Sequence, residues 1–357
     1  MNMHPRQQGP LRSDPRFRIE RNVRNLSRVV IAKAVAGLDQ RRDSRAVMFD
    51  RWTDDNPVAP LVLRAASEPP AALAGSAGAL GRSIVEDIIA TIGQIGAGAQ
   101  LLQAGLQFVF DTAATLYAPA LQATANLAAF VGESNPIPVH DLVSGSVPLV
   151  PRKLATIATL TREMVESSNA EVFVTAALRQ SVGLSLDNAL FDANPSSAIR
   201  PAGLRYNITA HTPSAATDPH QAMIQDLTAL AASVAPIGGQ IVFVVAPPRA
   251  VTIDFWFYGR LPYLIFSSPA LAANDVIAIA CNGLASAVDA LPEVEASKLA
   301  TLHMEDTTPQ PLVSSGVVAS PQRSLWQSDT IGIKIRFNVD WNLRDSRAIA
   351  WTTVTGW

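Results

Sequence analysis

The sequence predicts an α+β fold, and three observations carry that prediction. Helix-like and strand-like segments succeed one another without a regular β-α-β alternation. A Gly/Pro/Ser-rich excursion between Phe108 and Lys153 feeds a strand, which in turn feeds a long amphipathic helix. No cluster of catalytic residue types interrupts this run. The 357 residues suffice for a sizeable core. Only 16% of them are charged and 48% are apolar, with a mean hydropathy of +0.18; an ordinary soluble domain carries ~25% charged residues. So little charge cannot comfortably cover a monomer, so the chain either enters a membrane or hides much of its surface against other subunits.

Charge is uneven along the chain. Residues 1–64 hold twelve Arg and one Lys against seven acids, whereas the whole chain has a net charge of −2. Arg21, Arg24 and Arg28 share one helical face. This head is either solvated and irregular, or an arm that reaches an acidic neighbour or packaged nucleic acid. Its arginines lack the apolar core and cleavage site of a signal peptide. Residues 65–82 are Ala/Gly/Pro/Ser-rich and form a linker.

Ile88–Phe110 carries no charge and is long enough to span a bilayer. Gln94, Gln100, Gln103 and Gln107 argue against that, because each amide in hydrocarbon needs a partner. The last three fall at i, i+3 and i+7, which predicts an amphipathic packing helix. The excursion that follows has its tip in Gly132-Glu-Ser-Asn-Pro-Ile-Pro and Ser144-Gly-Ser. Val147–Thr161 alternates in part and contains two prolines, which suits a strand starting at a sheet edge. Asn169, after Ser167 and Ser168, caps a helix predicted to run to about Phe191. A second helix begins at Thr217-Asp-Pro and continues to about Val234.

Ile241–Ala246 is a buried strand stopped by Pro247-Pro248. Short strands are predicted at Tyr263–Phe266, Val276–Cys281, Leu299–His303, Thr330–Val339 and Ala348–Thr353. Ile331, Ile333, Ile335 and Phe337, with Lys334 and Arg336 between them, mark the cleanest half-buried strand. Cys281, the one cysteine, sits in an apolar run and is expected to be a buried strand residue.

Searches for chemistry return little. Gly93-Gln-Ile-Gly-Ala-Gly has its glycines in the wrong order for a dinucleotide fingerprint, and no phosphate-binding Gly-rich loop with Lys occurs. Gly283-Leu-Ala-Ser-Ala places Ser286 one residue late for a nucleophile elbow. His4, His140, His211, His220 and His303 lack metal-ligand spacing. Asp54-Asp55 and Glu305-Asp306 are ordinary solvated acids or weak cation sites. Arg162 and Glu163, followed by Glu166, form either a local helix-surface pair or a contact across a subunit seam.

Gly132-Glu-Ser-Asn-Pro-Ile-Pro-Val, Val147-Pro-Leu-Val-Pro-Arg-Lys-Leu-Ala, Leu160-Thr-Arg-Glu-Met and Leu186-Asp-Asn-Ala-Leu-Phe-Asp occur in that order. With Ser324–Arg336 and Trp341–Trp351 near the other terminus, they make the chain resemble the major capsid proteins of tailed bacteriophages, the Hong Kong 97-like fold. The resemblance covers residues 130–357 well and 79–129 loosely. It implies a variable basic leader and linker (1–78), an N-terminal arm (79–112), an extended loop (113–158) and a peripheral domain with a long spine helix (159–218). An axial domain (219–322) and return strands of the peripheral domain (323–357) complete it, the last residues being a candidate return to the axial domain.

The implied function is structural, not enzymatic. Copies would join as hexamers and pentamers into an icosahedral shell around double-stranded DNA, in virions assembled in the host cytoplasm. Implied partners are the chain itself, a portal, scaffold or decoration proteins, and packaged DNA held without sequence preference. No cofactor, metal or membrane is expected. Glu133, Arg152, Lys153, Arg162 and Glu163 are the candidate assembly contacts. Some relatives weld subunits through a loop lysine; here no lysine lies between Lys33 and Lys153, so no weld is expected. The linker at 65–82 is a candidate cleavage region. Rival readings are an encapsulin-like shell that encloses cargo enzymes, a hydrolase, and a membrane-associated protein.

Overall fold

Two larger sheets, three two-stranded ribbons and the helices around them make up the structure, a computed structural model that describes residues 28–36, 43–52, 96–110, 115–121, 130–131, 133, 145–166, 182–258, 260–289, 293–303, 313–314, 317–318 and 322–357. Helices α1 (28–36), α2 (Ser44–Arg51) and α3 (Ala97–Ala104) come first. Strands β1 (Leu106–Phe110), β2 (Leu116–Pro119), β3 (Ser146–Leu149) and β4 (Arg152–Thr161) follow, and β4 runs directly into the helical turn α4 (Arg162–Glu166). Residues 182–190 form α5, and α6 spans Pro219–Val234. Next come β5 (Ile241–Val245), α7 (Pro247–Phe257), β6 (Leu264–Ser267), β7 (Asp275–Ala280), β8 (Leu284–Asp289) and β9 (Glu293–Ser297). Strands β10 (Thr301–His303), β11 (Val313–Ser314), β12 (Val317–Val318), β13 (Gln322–Ser324), β14 (Thr330–Leu343) and β15 (Ile349–Thr353) complete the chain. The pairs β2–β3, β10–β13 and β11–β12 are the two-stranded ribbons.

β14 is the hub of the main sheet, whose order is β1-β8-β14-β4 with β9 also paired to β14. Its antiparallel ladder with β4 runs from Thr330↔Thr161 to Val339↔Arg152. Its first half also pairs with β9 and its second half with β8, so it is longer than its apolar alternation alone predicts. Ile331, Ile333 and Ile335 point into one core, as expected, with Leu160, Val165 and Val294. On the opposite face Lys334 and Arg336 form ion pairs with Glu295 and Glu293 directly across the β9 ladder.

The second sheet, β15-β7-β5-β6, is covered on both sides. Ile277 and Ile279 of β7 face a core with Leu101, Leu102, Leu186, Leu190 and Phe191. Val276, Ala278 and Ala280 face α6 through Met223, Leu227 and Leu230. The period of two and burial on both faces explain the continuous apolar run in this strand. Asp218 caps α6 by accepting from the Gln221 N–H at 3.1 Å, with Pro219 in the first turn, as the sequence predicts.

Cys281 closes this run and is buried, and burial pushes its thiol up to about 11. The neutral thiol is thus favoured in the fold relative to the unfolded chain. Its contribution is complete below the ordinary thiol range and is lost as pH rises toward 11. Relative to Cys281→Ala, the parent chain should lose about 2–3 kcal/mol more across that alkaline window, measured by urea midpoints at successive pH values.

Several expectations change. The amphipathic helix expected through Gln100, Gln103 and Gln107 ends with α3, and Gln107 lies in β1, so the stripe breaks; residues 88–95 lie outside the described residues. Gly105 causes the break: a Cβ there would come within 2.8 Å of the Leu284 carbonyl oxygen, where the chain crosses onto the sheet beside β8. Among the described residues no helix is long and apolar enough to cross a membrane. Pro247 and Pro248 not only end β5 but start α7, where missing N–H groups cost nothing. Strands β8 and β9 were not predicted.

Residues 28–36 and 44–51 are helical, the first packed on the chain's own main sheet, and the rest of the basic head, with Arg21 and Arg24, lies outside the described residues. Val30, Ile31 and Ala34 enter the β14 core, and the Lys33 ammonium donates to the Val294 carbonyl at 2.7 Å. The start of the predicted spine helix and the excursion's tip fall largely outside the described residues; α5 is the spine's predicted C-terminal end.

Candidate assembly surface

The excursion leaves and rejoins the body through the β2–β3 ribbon, registered Leu116↔Leu149 and Ala118↔Val147. Leu149 and Ala118 are buried against Ala285 and Ala287 of β8, which fixes the base of the excursion to the main sheet. The chain then turns at Pro151 into β4. Among the described residues this ten-residue strand pairs only with β14. A long strand edge left uncovered is a template for other polypeptide and is usually blunted in a solitary protein.

Arg152, the first residue of β4, is engaged within the chain. Its Nη1 donates to Asp340 Oδ1 at 2.6 Å and its Nε to the Ser197 carbonyl at 3.2 Å. Asp340 Oδ2 accepts the Val150 N–H at 2.6 Å. Burial raises the Asp340 pKa, and the Val150 N–H and the Arg152 guanidinium oppose that rise. One buried carboxylate thereby ties the returning excursion to the hub strand.

Lys153 is exposed and lies opposite Asn338 in the ladder. Exposure alternates along β4, so Lys153, Ala155 and Ile157 share the outward row, and Ile157 is 53% exposed. Glu133 is exposed, while most of its Gly/Pro run lies outside the described residues.

Arg162 Nε pairs with Glu166 Oε1 at 2.9 Å, one helical turn on, and not with Glu163. Both partners are about half exposed, which limits such a pair to ~0.3–0.5 kcal/mol. Glu163 is exposed. The structure thus brings Arg152, Lys153, Arg162 and Glu163 onto one strand and its helical continuation, with Glu133 apart from them.

Three residues central to this region were not singled out from the sequence. Arg51 donates to the Val165 and Glu166 carbonyls at 3.0 and 2.8 Å, satisfying the C-terminal end of α4. Asp340 and Asp187 are buried carboxylates whose one sequence signal is an acid flanked by apolar residues (Val339 and Trp341, and Leu186). Asp187 accepts the Ala97 and Gly98 N–H groups at 3.0 and 2.8 Å and the Ser268 hydroxyl at 2.5 Å, which binds the start of α3 to α5. Burial raises its pKa against those three hydrogen bonds.

Ser286, the near-miss nucleophile, is buried in β8 and donates to the Leu102 carbonyl. His211 contacts the Ser233 hydroxyl and His220 stacks on Trp256. Among the described residues no three His, Cys, Asp or Glu side chains form a group that could hold a metal ion.

No protein-family model and no curated protein matches this chain. Solved structures are similar to it over most of its length. A chain from Mycobacterium phage Adephagia is 18% identical with a TM-score of 0.47, covering 71% of this chain and 89% of that one. The capsid of a native GTA particle gives 11% identity and a TM-score of 0.45, with 72% and 90% covered. The satellite phage P4 procapsid, a structure that includes its size-determination protein, gives 9% identity and a TM-score of 0.43, with 76% and 91% covered.

Proposed function

We propose that this chain is a major capsid protein of the Hong Kong 97-like kind, whose copies assemble as hexamers and pentamers into a closed icosahedral shell around double-stranded DNA. The observation that carries the proposal is the construction of β4. The β2–β3 ribbon is anchored on the main sheet and leads into a ten-residue strand that, among the described residues, pairs with β14 alone and is secured at its first residue by a buried ion pair. A charge-poor exterior fits the same reading, because surface covered by neighbouring copies needs few charges.

In this reading the excursion is the extended loop and lies over an adjacent subunit, with Glu133, Lys153 and Glu163 offered to it. Arg152 acts from within by holding the loop's base. Helix α5 ends the spine of the peripheral domain, and the β15-β7-β5-β6 sheet with α6 and α7 forms the axial domain. Portal, scaffold or decoration proteins and packaged DNA are the further partners that a phage shell would meet. The work of such a chain is assembly and containment, not catalysis.

Negative-stain microscopy of the purified full chain should show closed, uniform shells. A freely soluble monomer under every assembly condition would overturn the proposal. Nuclease-protected DNA inside particles from infected cells is the expected content; a co-purifying enzyme instead would place the chain among cargo-enclosing shells.

A further inference from the structure

Helix α7 is apolar on two opposite sides. Ile253 is fully buried, and Ala250 and Phe257 pack with it into the core beneath the second sheet. On the outer side Val251, Phe255 and Tyr258, spaced i, i+4 and i+7, form a stripe that is 70%, 75% and 85% exposed, and Trp256 beside it is exposed as well. A helix with apolar residues all round is characteristic of one covered on both sides.

Asp254 is exposed at the margin of this stripe, and the other polar side chains of α7 turn away from it. Arg249 turns back to the Ala273 carbonyl and Asn274, and Thr252 donates to the Pro248 carbonyl. Tyr258 holds its place through a left-handed backbone at φ 52° that ends the helix. Beside α7 runs β6, the outer strand of its sheet, with Leu264 exposed.

We infer that the Val251–Phe255–Tyr258 stripe is a contact between copies of this chain, buried when subunits join into a ring. The inference rests on the shell reading. From the side-chain areas involved, the three stripe residues expose about 450 Å², Trp256 being turned aside onto His220. That is well into the range for the largest patch on a monomer, and more than half of the ~800 Å² that one partner contributes to a standard interface. A second copy is the occupant because the patch is dominated by aromatic and aliphatic side chains, the composition of an interface core, with Asp254 the charged residue of the helix at its margin.

The test uses Tyr258→Cys in the full chain, with the parent chain, whose one cysteine is buried, as background. In dissociated subunits the introduced thiol should react readily with a maleimide, and in assembled particles at least about tenfold more slowly. Equal labelling in both states overturns the inference while leaving the shell reading intact. The double variant Val251→Ser/Phe255→Ser should stay folded by circular dichroism yet sediment as unassembled subunits. Its normal assembly counts against the stripe in the same way. If the parent forms no particles, the shell reading fails by itself. The stripe is then judged by sedimentation: self-association lost in the double variant supports it, and a parent that is monomeric at every concentration overturns it.

Discussion

Replacing Arg152 with methionine should cost the fold about 3–5 kcal/mol, because it strands the buried Asp340 carboxylate without its cation. The Arg152 and Asp340 side chains are only 16% and 2% exposed, so water cannot take the place of the guanidinium. The loss is expected as a shift of the urea midpoint at unchanged slope. It should also depend on pH in a definite direction. Burial already raises the Asp340 pKa, and without Arg152 the rise is larger, so the folded variant holds its proton better than the unfolded chain does. Stability of the variant therefore falls as pH climbs from the ordinary carboxylate range through the raised value, and mild acid narrows the gap to the parent. Arg152→Met/Asp340→Asn should recover much of the loss, because the uncompensated charge is gone while an oxygen remains for the Val150 N–H. A double variant as unstable as Arg152→Met alone would refute the stranded-charge account.

Asp187→Ala should be comparably damaging, by about 3–6 kcal/mol, because it leaves two buried N–H groups and the Ser268 hydroxyl without their acceptor, at ~1–3 kcal/mol each. The same contact explains Gly96 and Gly98, where an added Cβ would stand 2.7 Å from the Asp187 carboxylate. Gly98→Ala should thus be destabilising in the parent and much less so beside Asp187→Ala, where the clashing oxygen is absent. Strict additivity of the two changes would show that the crowding at Gly98 comes from another neighbour, the Leu190 side chain at 3.0 Å being the nearest.

These two carboxylates mark where the sequence stops being informative. Period-two alternation made the first half of β14 visible, because Ile331, Ile333 and Ile335 face a single core. Strand β8 stayed hidden because Leu284, Ala285, Ala287 and Val288 are buried on both faces and carry no alternation to detect. In β9, Glu293 and Glu295 resemble a solvated loop until Arg336 and Lys334 are placed opposite them. Local chemistry also revealed the helix start at Thr217-Asp-Pro but not the Asp187 clasp, since the latter joins positions 89 and 90 residues apart. Of the candidate surface, only the partial alternation of Val147–Thr161 was legible; that Lys153, Ala155 and the apolar Ile157 share the outward row needed the ladder. The inward turn of Arg152 needed its partner 188 residues away on β14.

The hub strand also leaves the ribosome long after the first elements it joins. Helix α1 is complete roughly 300 residues before β14 and waits for the isoleucines it will cover. At a synthesis rate of ~5–20 residues per second, that interval lasts tens of seconds. From its own synthesis until that of β14, β4 lacks its ladder partner and Arg152 lacks its counter-charge, so a nascent chain cannot offer a finished edge to a neighbour. In the proposed shell, the late synthesis of the hub strand thus acts as a timer that keeps half-made subunits out of the growing lattice.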